Sequence, residues 1–292
     1  MAMDVEMAGH LARQLGLDEH GLHIDHLTGG DIADAWAVTA ADSRVFVKTL
    51  PAGQAGLLSC EAEGLDAIMD TRTVRVPKVL DRDVFGDTAW LALEFLPLQP
   101  RTSDADQRLG QLLATMHRHG FDRYGWPRDN YIGRTPQHNR WSDNWSEFFA
   151  WQRLGDQLDR LDQHLPDRDL GRWQRPLFEA WLDQFGRHQP EPALIHGDLW
   201  QGNAEMTTGA QPVIFDPSVH YADRECDLAM THLFGGFSRH FYESYEKEWP
   251  LPEGHEDRRP WYQLYHLLNH ANLFGGGYIQ RSLDMVKRLV AA

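Results

Sequence analysis

Leu194-Ile195-His196-Gly197-Asp198-Leu199-Trp200-Gln201-Gly202-Asn203 is the stretch on which the fold turns, and Val213-Ile214-Phe215-Asp216-Pro217 answers it, with Asp216 thirteen residues after Asn203. Each segment opens as a short apolar run and stops abruptly at polar chemistry, the pattern of a buried strand that delivers a functional loop. Asp198 and Asn203 share one loop at an Asp-x4-Asn spacing, so both side chains can face one centre. Transfer of a phosphoryl group needs this division of labour: one carboxylate to orient a hydroxyl and take its proton, and separate oxygen ligands to hold magnesium against the phosphates of ATP. Asp198 suits the first role, and Asn203 and Asp216 suit the second. A lone His-Gly-Asp would read as a solvated turn; the second strand-borne Asp at this distance argues against that.

Moving towards the N-terminus, Lys48 closes the apolar run Val45-Phe46-Val47, and it is one of only four lysines in the chain. A strand lysine can reach the α- and β-phosphates while a helix glutamate holds it in place. Glu61, thirteen residues on, is placed for that pairing, and Glu63 is its rival. A phosphate-covering GxGxxG run is absent; Gly29-Gly30-Asp31 is what stands in its place, where backbone N–H groups of a strand-turn-strand can approach phosphate. At Glu94-Phe95-Leu96 an adenine would meet backbone groups of Glu94 and Leu96, which requires no particular side chain.

Around these residues the pattern divides in two. Met7, Leu11 and Leu15 recur at helical spacing, short strands follow at 35–38 and 45–48, and 57–69 reads as a helix. Extended segments at 76–79 and 89–95 complete a small strand-rich unit. The segment 96–104, with its two prolines, suits a linker. Beyond it the pattern is helical: one helix marked by Leu109, Leu112, Leu113 and Met116 and capped by Thr102 or Ser103, then others at about 142–163, 169–186, 238–248 and 258–273. The expectation is an α+β, two-lobed chain, residues 1–96 forming an N-lobe and 97–292 a larger helical C-lobe, with a ligand cleft between them.

Composition narrows the partners. A formal charge of −15 argues against a nucleic-acid groove or an anionic membrane surface. No apolar run approaches the roughly 18 residues a membrane span requires, and Asp4 and Glu6 stand where a secretory leader would be basic. Cys60 and Cys226 are far apart and form no CxxC. A cytoplasmic protein with two reduced thiols is expected.

At these residues the chain resembles the fructosamine kinase (ketosamine-3-kinase) family, a branch of the aminoglycoside-phosphotransferase-like kinases. The resemblance runs from about 25 to 280 through GGDIADAW, FVK, EAEGLDAI, TVRVPKV, LEFLPL, WPRDNYIGRTPQHNRW, HGDLWQGN, IFDPSVHYADRECDLAMTHLFGGF and FGGGYIQ. HGD-x4-N alone marks the superfamily; the Trp of HGDLW, FDP and DLAMTHLFGGF are more discriminating. The resemblance implies a protein-kinase-like fold, with Asp198 as base and Asn203 and Asp216 as magnesium ligands. It implies Lys48 and Glu61 at the phosphates, Glu94 and Leu96 at adenine, and Trp200 beside the sugar of the acceptor, where a flat aromatic face covers C–H surface. The reaction implied is transfer of the ATP γ-phosphoryl to the 3-hydroxyl of a ketosamine, small or protein-bound, whose unstable product releases the amine. A monomer or weak dimer is expected. Some relatives carry a redox-switching cysteine in the glycine-containing loop; here that loop reads TGGDIADAW, so no such switch is expected.

Two rivals accompany this reading: a kinase of the same fold acting on another small hydroxyl compound, such as choline or an aminoglycoside, and a non-catalytic nucleotide-binding protein. His117-x-His119 lacks the partners of a zinc site. His196 is expected to serve as a local hydrogen-bonding group. Asp223, Arg224, Glu225 and Asp227 read either as a brace for the catalytic loop or as a solvated helix start, with the resemblance favouring the brace.

Overall fold

In the computed structural model, residues 3, 5–19, 21–28, 32–41, 43–165 and 170–291 are described. The chain opens with helix α1 (Val5–Leu15), then strands β1 (His23–Leu27), β2 (Asp34–Ala40) and β3 (Ser43–Pro51), helix α2 (Ala55–Asp70), and strands β4 (Val79–Phe85) and β5 (Thr88–Glu94). The five strands form one antiparallel sheet in the order β1-β2-β3-β5-β4. Alternation along the pleat sorts its two faces. Val45, Val47, Trp90 and Ala92 pack under Met7, Ala8 and Leu11 of α1. Leu50, Ala89, Leu91 and Leu93 point the other way, against Leu58, Ala62, Leu65 and Ile68 of α2. Lys48 has the parity of Leu50, so the pleat itself turns it towards α2.

The expected linker is only partly a linker. Leu98–Gln99 form strand β6, which pairs antiparallel with β10 (Ala204–Thr207), and β10 pairs in turn with β11 (Pro212–Ile214). A two-residue strand carries no periodicity and so leaves no mark in the residue pattern. Helix α3 (Ser103–His117) follows, and Thr102 is its N-cap, its Oγ1 accepting the Ala105 amide at 3.2 Å. The apolar cluster that contains α2 continues through Leu109 and Leu113 of α3, Leu194, Leu199 and Ile214. One core therefore runs across the expected 96/97 division.

After a hairpin of β7 (Asn130–Ile132) and β8 (Thr135–Gln137), helix α4 (Trp145–Phe149) runs through a π-helical segment, Ala150–Gly155, into α5 (Asp156–His164). The widened turn seats the buried Arg153, which donates to Asn139 Oδ1 at 2.7 Å and to the His138 carbonyl. Helix α6 (Gln174–Phe185) leads to β9 (Ala193–Ile195), which pairs with β12 (His220–Ala222). Helices α7 (Glu225–Leu233), α8 (Arg239–Glu248), α9 (His255–Phe274) and α10 (Gly277–Val290) close the chain. A second core gathers Trp145, Phe149, Trp181, Trp261 and Tyr262. Trp145 is thus a core residue, whereas Trp126 and Trp141 pack beside Tyr221. No helix among the described residues is long and apolar enough to cross a membrane.

Candidate active site

The loop that follows β9 is shaped by one carboxylate from α7. Asp227 accepts the amide of His196 at 2.7 Å and that of Gly197 at 2.8 Å, and it also contacts His117 Nε2 at 3.0 Å. Burial pushes the Asp227 pKa up, but the bonds and charge of His117 and His196 outweigh it, and the net shift is downward. His117 Nδ1 lies 2.8 Å from the Tyr245 hydroxyl, so both its nitrogens are engaged inside the protein, which leaves none for zinc. Gly197 sits at φ +83°, and a Cβ there would fall 2.2 Å from the Ser218 carbonyl oxygen. Only glycine satisfies both constraints.

His196 is a strut. Its Nδ1 accepts the Asp198 amide at 3.3 Å, which leaves Nε2–H to donate to the Phe215 carbonyl at 3.0 Å. Burial lowers its pKa, so it stays neutral and ties the Asp198 loop to the strand end that carries Asp216. Asn203 Nδ2 donates to the Asp198 carbonyl at 2.9 Å and lies 3.5 Å from Asp198 Oδ2, which turns the amide so that Oδ1 is its free end. Asp216 adopts φ +58°, an uncommon conformation for a non-glycine residue and one often found at functional sites. Burial first, then the charges of Asp216 and Asp227, push the Asp198 pKa up to about 7.

Lys48 reaches this group from β3. Its Nζ donates to Glu61 Oε1 at 2.7 Å and also to Asp216 Oδ1. Burial alone would lower the Lys48 pKa, but the Asp216 and Glu61 carboxylates outweigh it and hold the amine charged. Glu63 is turned away and pairs with Arg128. Two residues along a helix is about 200° of rotation, so one glutamate can face the sheet and the other cannot. The structure thus brings Lys48, Glu61, Asp198, Asn203 and Asp216 together. Asn203 Oδ1 and the half-exposed Asp216 carboxylate are hard oxygen donors, a set that fits magnesium completed by water and phosphate oxygens.

The remaining expected positions are less uniform. The Glu94 amide donates to the Lys78 carbonyl at 2.8 Å, and its carboxylate pairs with Arg75 at 2.5 Å, so that amide is not the backbone group Glu94 would offer to adenine. The backbone groups of Leu96 have no partner among the described residues. Gly29 and Gly30 lie outside the described residues. Trp200 lies over Gly202, where a Cβ would come within 2.4 Å of the indole, and it meets the edge of Phe234 with ring centroids 6.2 Å apart. Phe234 in turn packs on His270 and Tyr278, giving an aromatic wall that reaches from α9 and α10 to the catalytic loop. Sequence reasoning did not find that wall, because its rings come from three separate segments. His188, Asp223 and Glu225 cluster closely enough to suggest a metal, but His188, Tyr262 and Arg258 already engage those carboxylates. That cluster is a closed ion-pair network.

Comparison with known proteins places this geometry. The sequence profile of the fructosamine kinase family matches residues 3–292. A probable ketoamine kinase of Synechocystis is 42% identical over 265 residues, covering 90% of this chain and 88% of that protein. A solved Haemophilus somnus structure, provisionally assigned as a fructosamine-3-kinase, superposes with a TM-score of 0.88 at 26% identity, covering 97% of this chain and 96% of that one. A choline kinase from Streptococcus pneumoniae shares the fold with a TM-score of 0.64 at 13% identity, over 98% of this chain and 100% of the other. The architecture is that of the protein-kinase-like fold.

Proposed function

Because the chain belongs to the fructosamine kinase family, and is on that ground an ATP-dependent phosphotransferase, we propose that it phosphorylates the 3-hydroxyl of ketosamines and so frees the amine they carry. The observation that carries the proposal is the convergence of Asp198, Asn203, Asp216 and the Lys48–Glu61 pair beside Trp200. In this reading Lys48, fixed by Glu61, holds the α- and β-phosphates of ATP. Asn203 Oδ1 and Asp216 hold magnesium, which when bound neutralises charge on the transferring phosphoryl group. Asp198 orients the acceptor hydroxyl and takes its proton, and its pKa of about 7 suits that task near neutral pH. Trp200 covers the C–H face of the sugar. Residues 1–96 would serve the nucleotide and 97–292 the metal and acceptor. A donor such as ATP supports a cytoplasmic site of action.

The acceptor is tested by ADP release with fructosamine, ribulosamine and erythrulosamine adducts beside choline and an aminoglycoside. Turnover confined to the ketosamines is expected. Turnover of choline or the aminoglycoside alone would transfer the chain to the rival reading, and Mg-ATP binding without turnover of any acceptor would favour a non-catalytic protein.

A further inference from the structure

Arg101 stands on the connection between β6 and α3, about a hundred residues before the catalytic loop, yet its guanidinium ends on three segments at once. Its Nε donates to Asp106 Oδ1 at 2.7 Å; its two terminal nitrogens donate to the carbonyls of Ala204 and, at 3.0 Å, Gly236. Ala204 immediately follows the candidate metal ligand Asn203. Gly236 belongs to the Phe234–Phe237 loop that carries one ring of the aromatic wall. Asp106 closes the circuit, because its second oxygen accepts the Ser238 amide at 2.7 Å. Phe237 lies under the guanidinium, with its ring centroid 4.5 Å from Cζ. The side chains of Arg101 and Asp106 are each only 6% exposed.

The loop needs an external hold. Gly235 and Gly236 sit at φ +72° and +90°, so its backbone is intrinsically permissive. It packs so tightly on the catalytic loop that a Cβ at Gly236 would lie 2.5 Å from Gln201 Cβ. A planar fork with five donors can serve three directions together, whereas a lysine at the same place is a single point charge.

We propose that Arg101 and Asp106 form a buried clamp that positions the Phe234–Phe237 loop against Trp200 and Gln201, and thereby sets acceptor affinity without touching the nucleotide. The proposal rests on the reading that Trp200, whose ring Phe234 packs against, faces the acceptor. Arg101 is a positioning residue. Its role differs from general stability in predicting a split between the two substrates.

The test is steady-state kinetics with both substrates varied, on Arg101→Lys, Asp106→Asn, Gly236→Ala and the Arg101→Lys/Gly236→Ala double variant, each first checked for a cooperative thermal transition. Loss of a charge-assisted hydrogen bond is expected to raise the acceptor KM about tenfold or more, with the ATP KM within about twofold. Gly236→Ala displaces the loop directly and should give the same split, and the double variant should be no worse than the poorer single one, because both changes act on one element. An unchanged acceptor KM in folded variants, an equal rise in both KM values, or full additivity would overturn the clamp. Should Arg101→Lys fail to fold, Asp106→Asn and Gly236→Ala decide the matter by the same criteria. The kinetics use whichever acceptor the wild type phosphorylates, so a wild type inactive on ketosamines overturns the acceptor class while the clamp is still judged.

Discussion

Lys48 donates to Glu61 and Asp216 together, and so joins the strand-rich part of the molecule to a candidate metal ligand. Replacing Glu61 by Gln leaves Lys48 less firmly placed and should lower kcat/KM for ATP by roughly 10- to 100-fold, the cost of a weakened charge-assisted bond. Glu63→Gln, which touches only the Arg128 pair, should stay within about twofold; equal effects of the two would undo the assignment of Glu61. Asp198→Asn should retain ATP binding, seen by calorimetry, and lose roughly 10²- to 10⁴-fold in turnover. Near-wild-type turnover would remove Asp198 from the role of base. Asp198, Asn203 and Asp216 were legible in the sequence because their chemistry sits in one loop and one strand end. The choice between Glu61 and Glu63 was not, because it depends on which side of α2 meets the sheet. Arg101 was not legible either: two of its three hydrogen bonds go to backbone carbonyls, which no sequence pattern records.

Helix α7 acts on the catalytic loop through its first turn. Asp227 is faced by His117 of α3, by His196 and Asp198 of the loop, by Tyr245 of α8 and by His266 of α9. Its pKa is lower folded than unfolded, so the stability it lends is complete above the unfolded value of about 4 and is lost as pH falls through the folded value. Asp227→Asn should therefore cost roughly 2–3 kcal/mol at pH 7 by urea unfolding. The wild type should lose part of that advantage below about pH 4, where the two proteins converge. A constant gap down to pH 2 would mean that the charge of Asp227 contributes nothing. At this scale the sequence displayed the long periodic helices well: the segment expected at 57–69 spans Ala55–Asp70, and that expected at 258–273 spans His255–Phe274. It hid β6, β10 and β12, whose two to four residues are too few for a period. Helix α10 lies beyond the last expected helix; Ile279, Leu283, Val286 and Leu289 repeat at helical spacing there, but three glycines precede them.

Across the whole molecule, a single apolar cluster extends from the five-stranded sheet and α2 into α3, β9, β10 and β11. The nucleotide and its metal would meet groups from both sides of that cluster, Lys48 from the sheet and Asn203 and Asp216 from the loops beyond. Mg-ATP at about 100 times its Kd should therefore stabilise the whole chain by about 2.7 kcal/mol, a rise of about 5 °C or more in Tm. The shift should survive in Asp198→Asn, shrink strongly in Asp216→Asn, and fall on addition of EDTA; a shift indifferent to EDTA would remove magnesium from the account. The α+β order of strands and helices was legible from the periods of the longer elements, and the protein-kinase-like fold from the resemblance carried by motifs such as HGDLWQGN. The continuity of the core was not, because it depends on how the pieces meet. The central claim concerns the acceptor, and identifying the product tests it most directly. Incubation of the enzyme with Mg-ATP and a ¹³C-labelled fructosamine, followed by ³¹P and ¹³C NMR, should show ADP formed in step with one phosphomonoester coupled to carbon 3 of the ketosamine. Phosphate on another carbon, or an unmodified ketosamine beside a phosphorylated choline or aminoglycoside control, would contradict it.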